Sequence, residues 1–321
     1  MDPLSQVLRS LRLRGSFYAA WDLGAPWGLG FRRARFAPFH YVESGDLWLV
    51  TAAGERLHLE TGDVAVLFDG GGHRIADRAD RAAEPIERVV ARQRRAIVKR
   101  HGGSGRACRL VCGKFLVDDH DGGSAVLDQL PPLVHIRRER AAQLAAFPPA
   151  LGLLAHELRS GQPGAERAAV LLTEVLFIHV VRVVLADHAP VGAGWLAGLR
   201  DPQLGAALAA IHADPERPWT LAGLARRAGL SRSVFAERFH DQLGIPPMAY
   251  LARWRLQLAA RWLRESQRSI SEIVYRVGYA SPAAFHRAFK RAYGSAPTAY
   301  RRAAGRDALP GEPVHDQRLG A

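Results

Sequence analysis

The sequence predicts an α+β chain, with β-strands in its front third, helices through its middle and an all-helical rear section. Three observations carry this. Between residues 46 and 117, short apolar runs are separated by Gly and Asp turns. From residue 139 the apolar residues recur at helical spacing. Residues 203–304 contain the same motif twice, at an offset of 49 to 50 residues. A chain of 321 residues suits two or three domains.

Composition narrows the partners. The formal net charge is +13, and only three of the 44 basic residues are lysine (Lys99, Lys114 and Lys290), leaving the planar, multi-donor guanidinium to carry most of it. That group suits phosphates and guanine edges. No uninterrupted apolar run is long enough for a membrane span, and the first residues lack a signal-peptide core. The expectation is a cytoplasmic protein with no membrane partner. Cys108 and Cys112 on one strand would stand about 13 Å apart, beyond disulfide reach, and read as small buried thiols.

The elements follow in order. "DLWLV" (46–50), "RLHLE" (56–60), "DVAVLF" (63–68) and "CRLVCGKFLV" (108–117) read as strands of a sandwich or barrel. Residues 78–106, rich in arginine and closing on "HGGSG", read as a long mobile surface loop, its basic part at 88–101. The front domain is set at 1–135. A helical segment follows at 136–190, in which "AERAAVLLTEVLFIHVVRVVLADH" (165–188) is apolar around most of its circumference. Glu174, His179 and Arg182 interrupt it, which argues for a core helix with a dimer interface and against a membrane span. A Gly/Pro linker is set at 191–202, the repeat domain at 203–304 and a disordered tail at 305–321.

The repeat carries the chemistry. "TLAGLARRAG" (220–229) aligns with "SISEIVYRVG" (269–278), and Ser231, Phe235, Phe239, Gly244, Pro247 and Tyr250 recur as Ser281, Phe285, Phe289, Gly294, Pro297 and Tyr300. Each copy opens on an N-cap candidate, Thr220 or Ser269, the second with a full capping box through Glu272. A glycine then turns the chain into a second helix, which makes a helix-turn-helix unit. A helix at 249–266 joins the two. With the phenylalanines inward, Ser233, Ala236, Glu237 and His240 face outward in the first copy and Ala283, His286, Arg287 and Lys290 in the second. Residues 211–304 hold 16 Arg and Lys against 6 Asp and Glu, the electrostatic footprint of a DNA-binding surface.

On "SRSVFAERF", "RWRLQLAARWLRES", "ISEIVYRVGY", "SPAAFHRAFKRAYG" and "PTAYRR", residues 209–303 resemble the tandem helix-turn-helix domain of AraC/XylS-type transcription regulators. The resemblance implies a regulator, not an enzyme, that reads two successive major grooves with helices 232–243 and 282–293. It places Arg232, Ser233, Ala236 and Glu237 on DNA from the first helix, and Ala283, His286, Arg287 and Lys290 from the second. Arg287 suits bidentate guanine readout, while Lys290 and Arg291 suit phosphate. Glu237 either accepts from a cytosine or pairs with Arg232 or Arg238 and reads nothing. Implied partners are double-stranded promoter or operator DNA, RNA polymerase, a small-molecule effector and a second copy of the chain.

The front domain resembles the cupin-type sensor domain of one AraC subgroup, on "APFHYVESGDLWLV", "ETGDVAVLFDGGGHRI", "RLVCGKF" and "LPPLVHIR". The fold expected is therefore a cupin-like β-barrel followed by helices and an all-α C-terminal domain. Gly62, Phe68, Gly70 and His73 follow the second cupin motif, with Phe68 in place of its usual proline. In the first motif His40 is present, but Val42 stands where a catalytic cupin has its second histidine. An effector or metal site is therefore expected at His40, His73 and Cys112. A divalent metal would need a third ligand, for which Glu43, His58, His101 and Cys112 compete without a spacing argument. A metal- or thiol-responsive regulator is the alternative, and a cupin enzyme is disfavoured by the missing His-x-His.

Overall fold

A computed structural model of the chain describes residues 4–5, 13–93, 96–117, 130–186 and 195–306. The chain divides into two compact units, one of Leu11–Arg200 and one from Asp201 onward. Residues 1–3 and 6–12, residues 187–190 of the expected helical segment, residues 191–194 of the expected linker and the tail from 307 lie outside the described residues.

The first unit holds eleven described strands in two sheets. One sheet contains β1 (Leu13–Gly24), β3 (Ala37–Ser44), β6 (Val64–Leu67), β9 (Val98–Gly102), β10 (Ala107–Val117) and β11 (Leu133–Ile136), in the order β11-β6-β3-β10-β1-β9. The other contains β2 (Gly28–Phe31), β4 (Asp46–Thr51), β5 (Arg56–Glu60), β7 (His73–Ala76) and β8 (Glu84–Pro85), in the order β5-β4-β7-β2-β8. Alternate residues of both sheets, among them Trp21, Leu29, Val42, Leu49, Ile75 and Leu110, point inward and form one apolar core.

The stretch 78–106 is not a loop. Within it lie β8, the helix α1 (Ile86–Arg92) and β9, which pairs parallel to β1. Its basic residues are partly spoken for: Arg92 holds Glu84 at 2.7 and 2.9 Å, and Lys99, almost fully buried, donates to the carbonyls of Gln93 and Ala96 at 2.8 Å each. The glycines after β9 allow close backbone approach. At Gly102, with φ of 95°, a Cβ would stand 2.2 Å from the Gly24 carbonyl oxygen. A glycine cluster that reads as loose chain is here a site of backbone contact.

Helices α2 (Arg138–Ala142), α3 (Phe147–Ser160) and α4 (Ala165–Ala186) complete this unit with α5 (Trp195–Arg200), which falls inside the stretch expected as linker. Helix α4 has the length and hydropathy of a membrane span, yet half of that window is buried inside the protein. It packs on α3, β1 and β10, the contacts of a core helix. Arg159 at the end of α3 ties the helices to the barrel, 2.8 Å from both Asp22 of β1 and Glu43 of β3.

The second unit is all-helical: α6 (Pro202–Ala213), α7 (Leu221–Arg227), α8 (Arg232–Leu243), α9 (Pro247–Glu265), α10 (Ile270–Arg276), α11 (Pro282–Tyr293) and α12 (Pro297–Arg306). The joining helix begins two residues earlier than the sequence reading placed it, at Pro247, whose fixed φ suits a first turn. Phe285 and Phe289, both fully buried, pack with Leu263, Ile273 and Val274 in the second copy. Phe235 and Phe239 are equally buried in the first.

Candidate nucleic-acid interface and barrel cluster

Each helix-turn-helix unit is set by its caps. Thr220 accepts from the Gly223 amide at 3.1 Å and Ser269 from the Glu272 amide at 3.1 Å. Ser231 and Ser281 cap the second helices in the same way, each 3.4 Å from the amide nitrogen three residues on. The expected capping box at Ser269 is half present. The Glu272 carboxylate does not return to the cap; it lies between Arg268 at 3.3 Å and Arg276 at 3.1 Å. Two guanidinium groups one turn away on either side compete more strongly for it than a single amide.

The turn between α10 and α11 requires glycine. Gly278 has φ of 84°, and a Cβ there would meet the Pro215 carbonyl oxygen and the Arg255 guanidinium at 2.7 Å. Arg255 itself donates to the Pro215 and Arg217 carbonyls at 2.8 Å each, stitching the joining helix α9 to the segment that follows α6.

With the phenylalanines inward, the opposite faces of α8 and α11 are open. Arg232, Ser233, Glu237 and His240 are exposed on α8, and Ala236 is half-buried. Ala283, Arg287, Lys290 and Arg291 are exposed on α11, and His286 is half-buried, its ring edge-on to Phe285. Arg238 is not Glu237's partner. It donates to Gln203 at 2.9 Å and forms an ion pair with the buried Asp201, which also caps α6. Neither Glu237 nor Arg287 makes an ion pair among the described residues, so both side chains keep their hydrogen-bonding groups free.

The barrel brings His40, His73 and Cys112 together. His40 and Cys112 are register partners on β3 and β10, and His73 reaches in from β7 of the other sheet. His40 Nε2 lies 2.7 Å from His73 Nε2, and His40 Nδ1 lies 3.1 Å from Cys112 Sγ. Burial lowers both imidazoles, His40 well below its ordinary value and His73 to about 4, so both are neutral. Burial pushes the Cys112 thiol well up, so it keeps its proton. The Gly71 carbonyl, 2.9 Å from His73 Nδ1, can only accept, which fixes the chain of protons. Cys112 S–H donates to His40 Nδ1, His40 Nε2–H to His73 Nε2, and His73 Nδ1–H to Gly71. Phe31 stacks on His73 at 4.6 Å and meets His40 edge-on at 5.0 Å.

These residues do not fit a divalent metal. Two nitrogens on one tetrahedral zinc would stand about 3.3 Å apart, wider than the pair that already shares a proton. Cys112 is turned to the other nitrogen of His40 and cannot join them on one ion. Of the other candidates, Glu43 holds Arg159 and His58 holds Asp46 at 2.9 Å. No group of three ligating side chains is assembled among the described residues. His101 lies on β9, outside the cluster.

Residues 2–186 match a family profile described as "Cupin", and residues 224–303 match one described as "Helix-turn-helix domain". A protein of Streptomyces lividans named as an AraC-like transcription regulator is 35% identical over 306 residues, 94% of this chain and 98% of its own. A similarly named protein of Streptomyces antibioticus is 35% identical over 303 residues, 94% of this chain and 99% of its own. The HTH-type transcriptional regulator AlkR of Acinetobacter baylyi is 30% identical over 305 residues, 94% of this chain and 99% of its own.

Proposed function

The chain belongs to the AraC-type transcription regulators that carry an N-terminal cupin domain, and from that premise we propose that α8 and α11 are its recognition helices, entering successive major grooves of duplex DNA. The supporting observation is the matched pair of helices itself. Each is capped by a serine, pinned by two buried phenylalanines four residues apart, and left open on the opposite face. Arg287 supplies a free guanidinium for guanine O6 and N7. Glu237, unpaired on the corresponding face of α8, accepts from cytosine N4. Arg232, Lys290 and Arg291 hold phosphates, with Ser233, Ala236, His240, Ala283 and His286 lining the grooves.

The N-terminal unit supplies control: it senses an effector, works in the cytoplasm and passes the signal through α3 and α4, which Arg159 fastens to β1 and β3. The effector in this reading is a small molecule and not a resident metal, which the direct 2.7 Å His40–His73 contact supports. The experiment is footprinting of the full chain on genomic DNA, followed by titration of the recovered sites against salt. Two protected segments on one face, one helical turn apart, with a steep loss of affinity as salt rises, are expected. A single protected groove, or affinity indifferent to salt, overturns the reading.

A further inference from the structure

The two helix-turn-helix units carry their charge in opposite places. Helix α11 exposes Arg287, Lys290 and Arg291 and contains no acidic residue. Helix α8 exposes two carboxylates, Glu237 and Asp241, against the single free guanidinium of Arg232, since Arg238 is committed to Asp201. A helix with that balance gains little from the phosphates that flank a groove. The helices that precede these two reverse the pattern. On α10, Glu272 neutralises Arg268 and Arg276, at 3.3 and 3.1 Å. The aligned position on α7 is Gly223, so Arg227, the counterpart of Arg276, has no carboxylate one turn before it.

Arg227 shares an indole instead. Trp219 is almost fully buried, and its Nε1–H donates to the Asp214 carbonyl at 2.9 Å, which fixes the ring. The Arg217 guanidinium lies 4.5 Å from the ring centroid and that of Arg227 lies 6.0 Å from it. Both arginines are exposed, and neither makes an ion pair or a side-chain hydrogen bond among the described residues. Stacking uses the π face and leaves the N–H groups around the edge of each guanidinium unspent. Two like charges gathered on one ring, with no carboxylate between them, repel each other until an anion joins them. The anion that fits is a DNA phosphate, because α7 leads through the Gly229 turn directly into α8, whose own charge balance leaves the backbone unheld. We propose that Arg217 and Arg227, stacked on Trp219, are the backbone anchor of the first helix-turn-helix unit and grip phosphate while α8 reads base edges. The anchor rests on the reading of α8 and α11 as recognition helices and adds to it residues that lie outside both.

The test is the salt dependence of DNA binding by the full chain, read by fluorescence anisotropy on two duplexes: a site recovered by footprinting and a random sequence of equal length. Arg217→Gln and Arg227→Gln should each weaken binding about three- to tenfold on both duplexes alike, and lower the slope of log affinity against log salt by about 1. Gly223→Glu supplies the missing carboxylate four residues before Arg227 and should lower the slope in the same way. Gly223 is helical and outside the left-handed region, so this variant keeps its fold even where loss of Arg217 disturbs the packing of Trp219. Arg276→Gln, whose charge Glu272 already offsets, should change the slope by less than about 0.3. Circular dichroism confirms that each variant is folded. An unchanged slope in folded R217Q/R227Q and in Gly223→Glu overturns the anchor. A loss confined to the recovered site overturns it too, since phosphates carry no sequence, and so does an equal fall in slope for Arg276→Gln. Failure of the groove reading looks different: Arg287→Ala would then leave sequence preference intact while the slope still falls in the two anchor variants.

Discussion

His40 and His73, thirty-three residues apart and on different sheets, meet Nε2 to Nε2 at 2.7 Å inside the barrel. The contact straps the two sheets together through one shared proton. It is the middle link of a chain of hydrogen bonds that runs from the Cys112 thiol to the Gly71 carbonyl.

The burial of His73 makes the N-terminal unit sensitive to acid. His73 titrates near 4 in the folded chain and near 6.5 once unfolded, so below pH 6.5 the unfolded chain takes up the proton first. The stabilisation is complete above about 6.5 and is lost between there and about 4, a difference of about 3 kcal/mol. His212, buried in the C-terminal unit and also lowered to about 4, titrates in the same window, so the comparison must be between variants. Urea unfolding across this range should show a shallower pH slope for His73→Gln than for wild type; an unchanged slope would falsify the neutral, buried state of His73.

The thiols should be silent in the folded protein. Cys112 is fully buried and its thiol pushed well up, and burial takes Cys108 to about 12. Ellman's reagent at mildly alkaline pH should report no thiol in minutes on native protein and both after denaturation. Rapid native labelling of Cys112 would revive a thiol-responsive regulator.

Arg287 and Arg238 should separate reading from folding. Arg287→Ala is expected to cost about 1–3 kcal/mol of affinity on the cognate site and relax preference at one base pair, with stability unchanged. Arg238→Ala removes the guanidinium partner of the buried Asp201 carboxylate, which keeps only the amides it caps at the start of α6, and should cost about 1–3 kcal/mol of stability. Parallel DNA titrations and thermal melts of both variants check this; equal effects on the two readouts would refute the division of roles.

Two glycines with similar φ should respond differently to a methyl group. Gly294 closes α11 at φ 73° with open space around its Cβ position, so Gly294→Ala should lose only about 1 kcal/mol of backbone preference. At Gly278 the same change adds a 2.7 Å clash with the Pro215 carbonyl, and the loss should be larger. Chemical denaturation of the two variants decides it, and a Gly278→Ala as mild as Gly294→Ala would mean the turn shifts freely.

Where local rules govern, the residues were readable. The capping serines, the phenylalanines four apart and the glycines after α7 and α10 each act within one or two turns of helix, and their repetition at a fixed offset exposed the two units. Strands β4, β5, β6 and β10 were legible for a related reason, being apolar runs bounded by turn residues. The segment 78–106 was misread because composition alone cannot separate a mobile arginine-rich loop from a strand and helix whose arginines and glycines find partners far along the chain. The capping box at Ser269 failed similarly, since Arg268 and Arg276 outbid the cap amide for Glu272.

The sequence by itself determined the class of the protein, its two-part plan and its two helix-turn-helix units, because helix periodicity and capping are local and the family pattern spans both parts. Only the tertiary structure decided what the long-range partners are. Arg238 faces Asp201 instead of Glu237, leaving that carboxylate free. His40 meets His73 and Cys112 in a neutral relay instead of an ion site. Such pairings depend on strand register, on which sheet a side chain enters and on burial that sets its protonation, and none of these is written in the spacing of neighbouring residues.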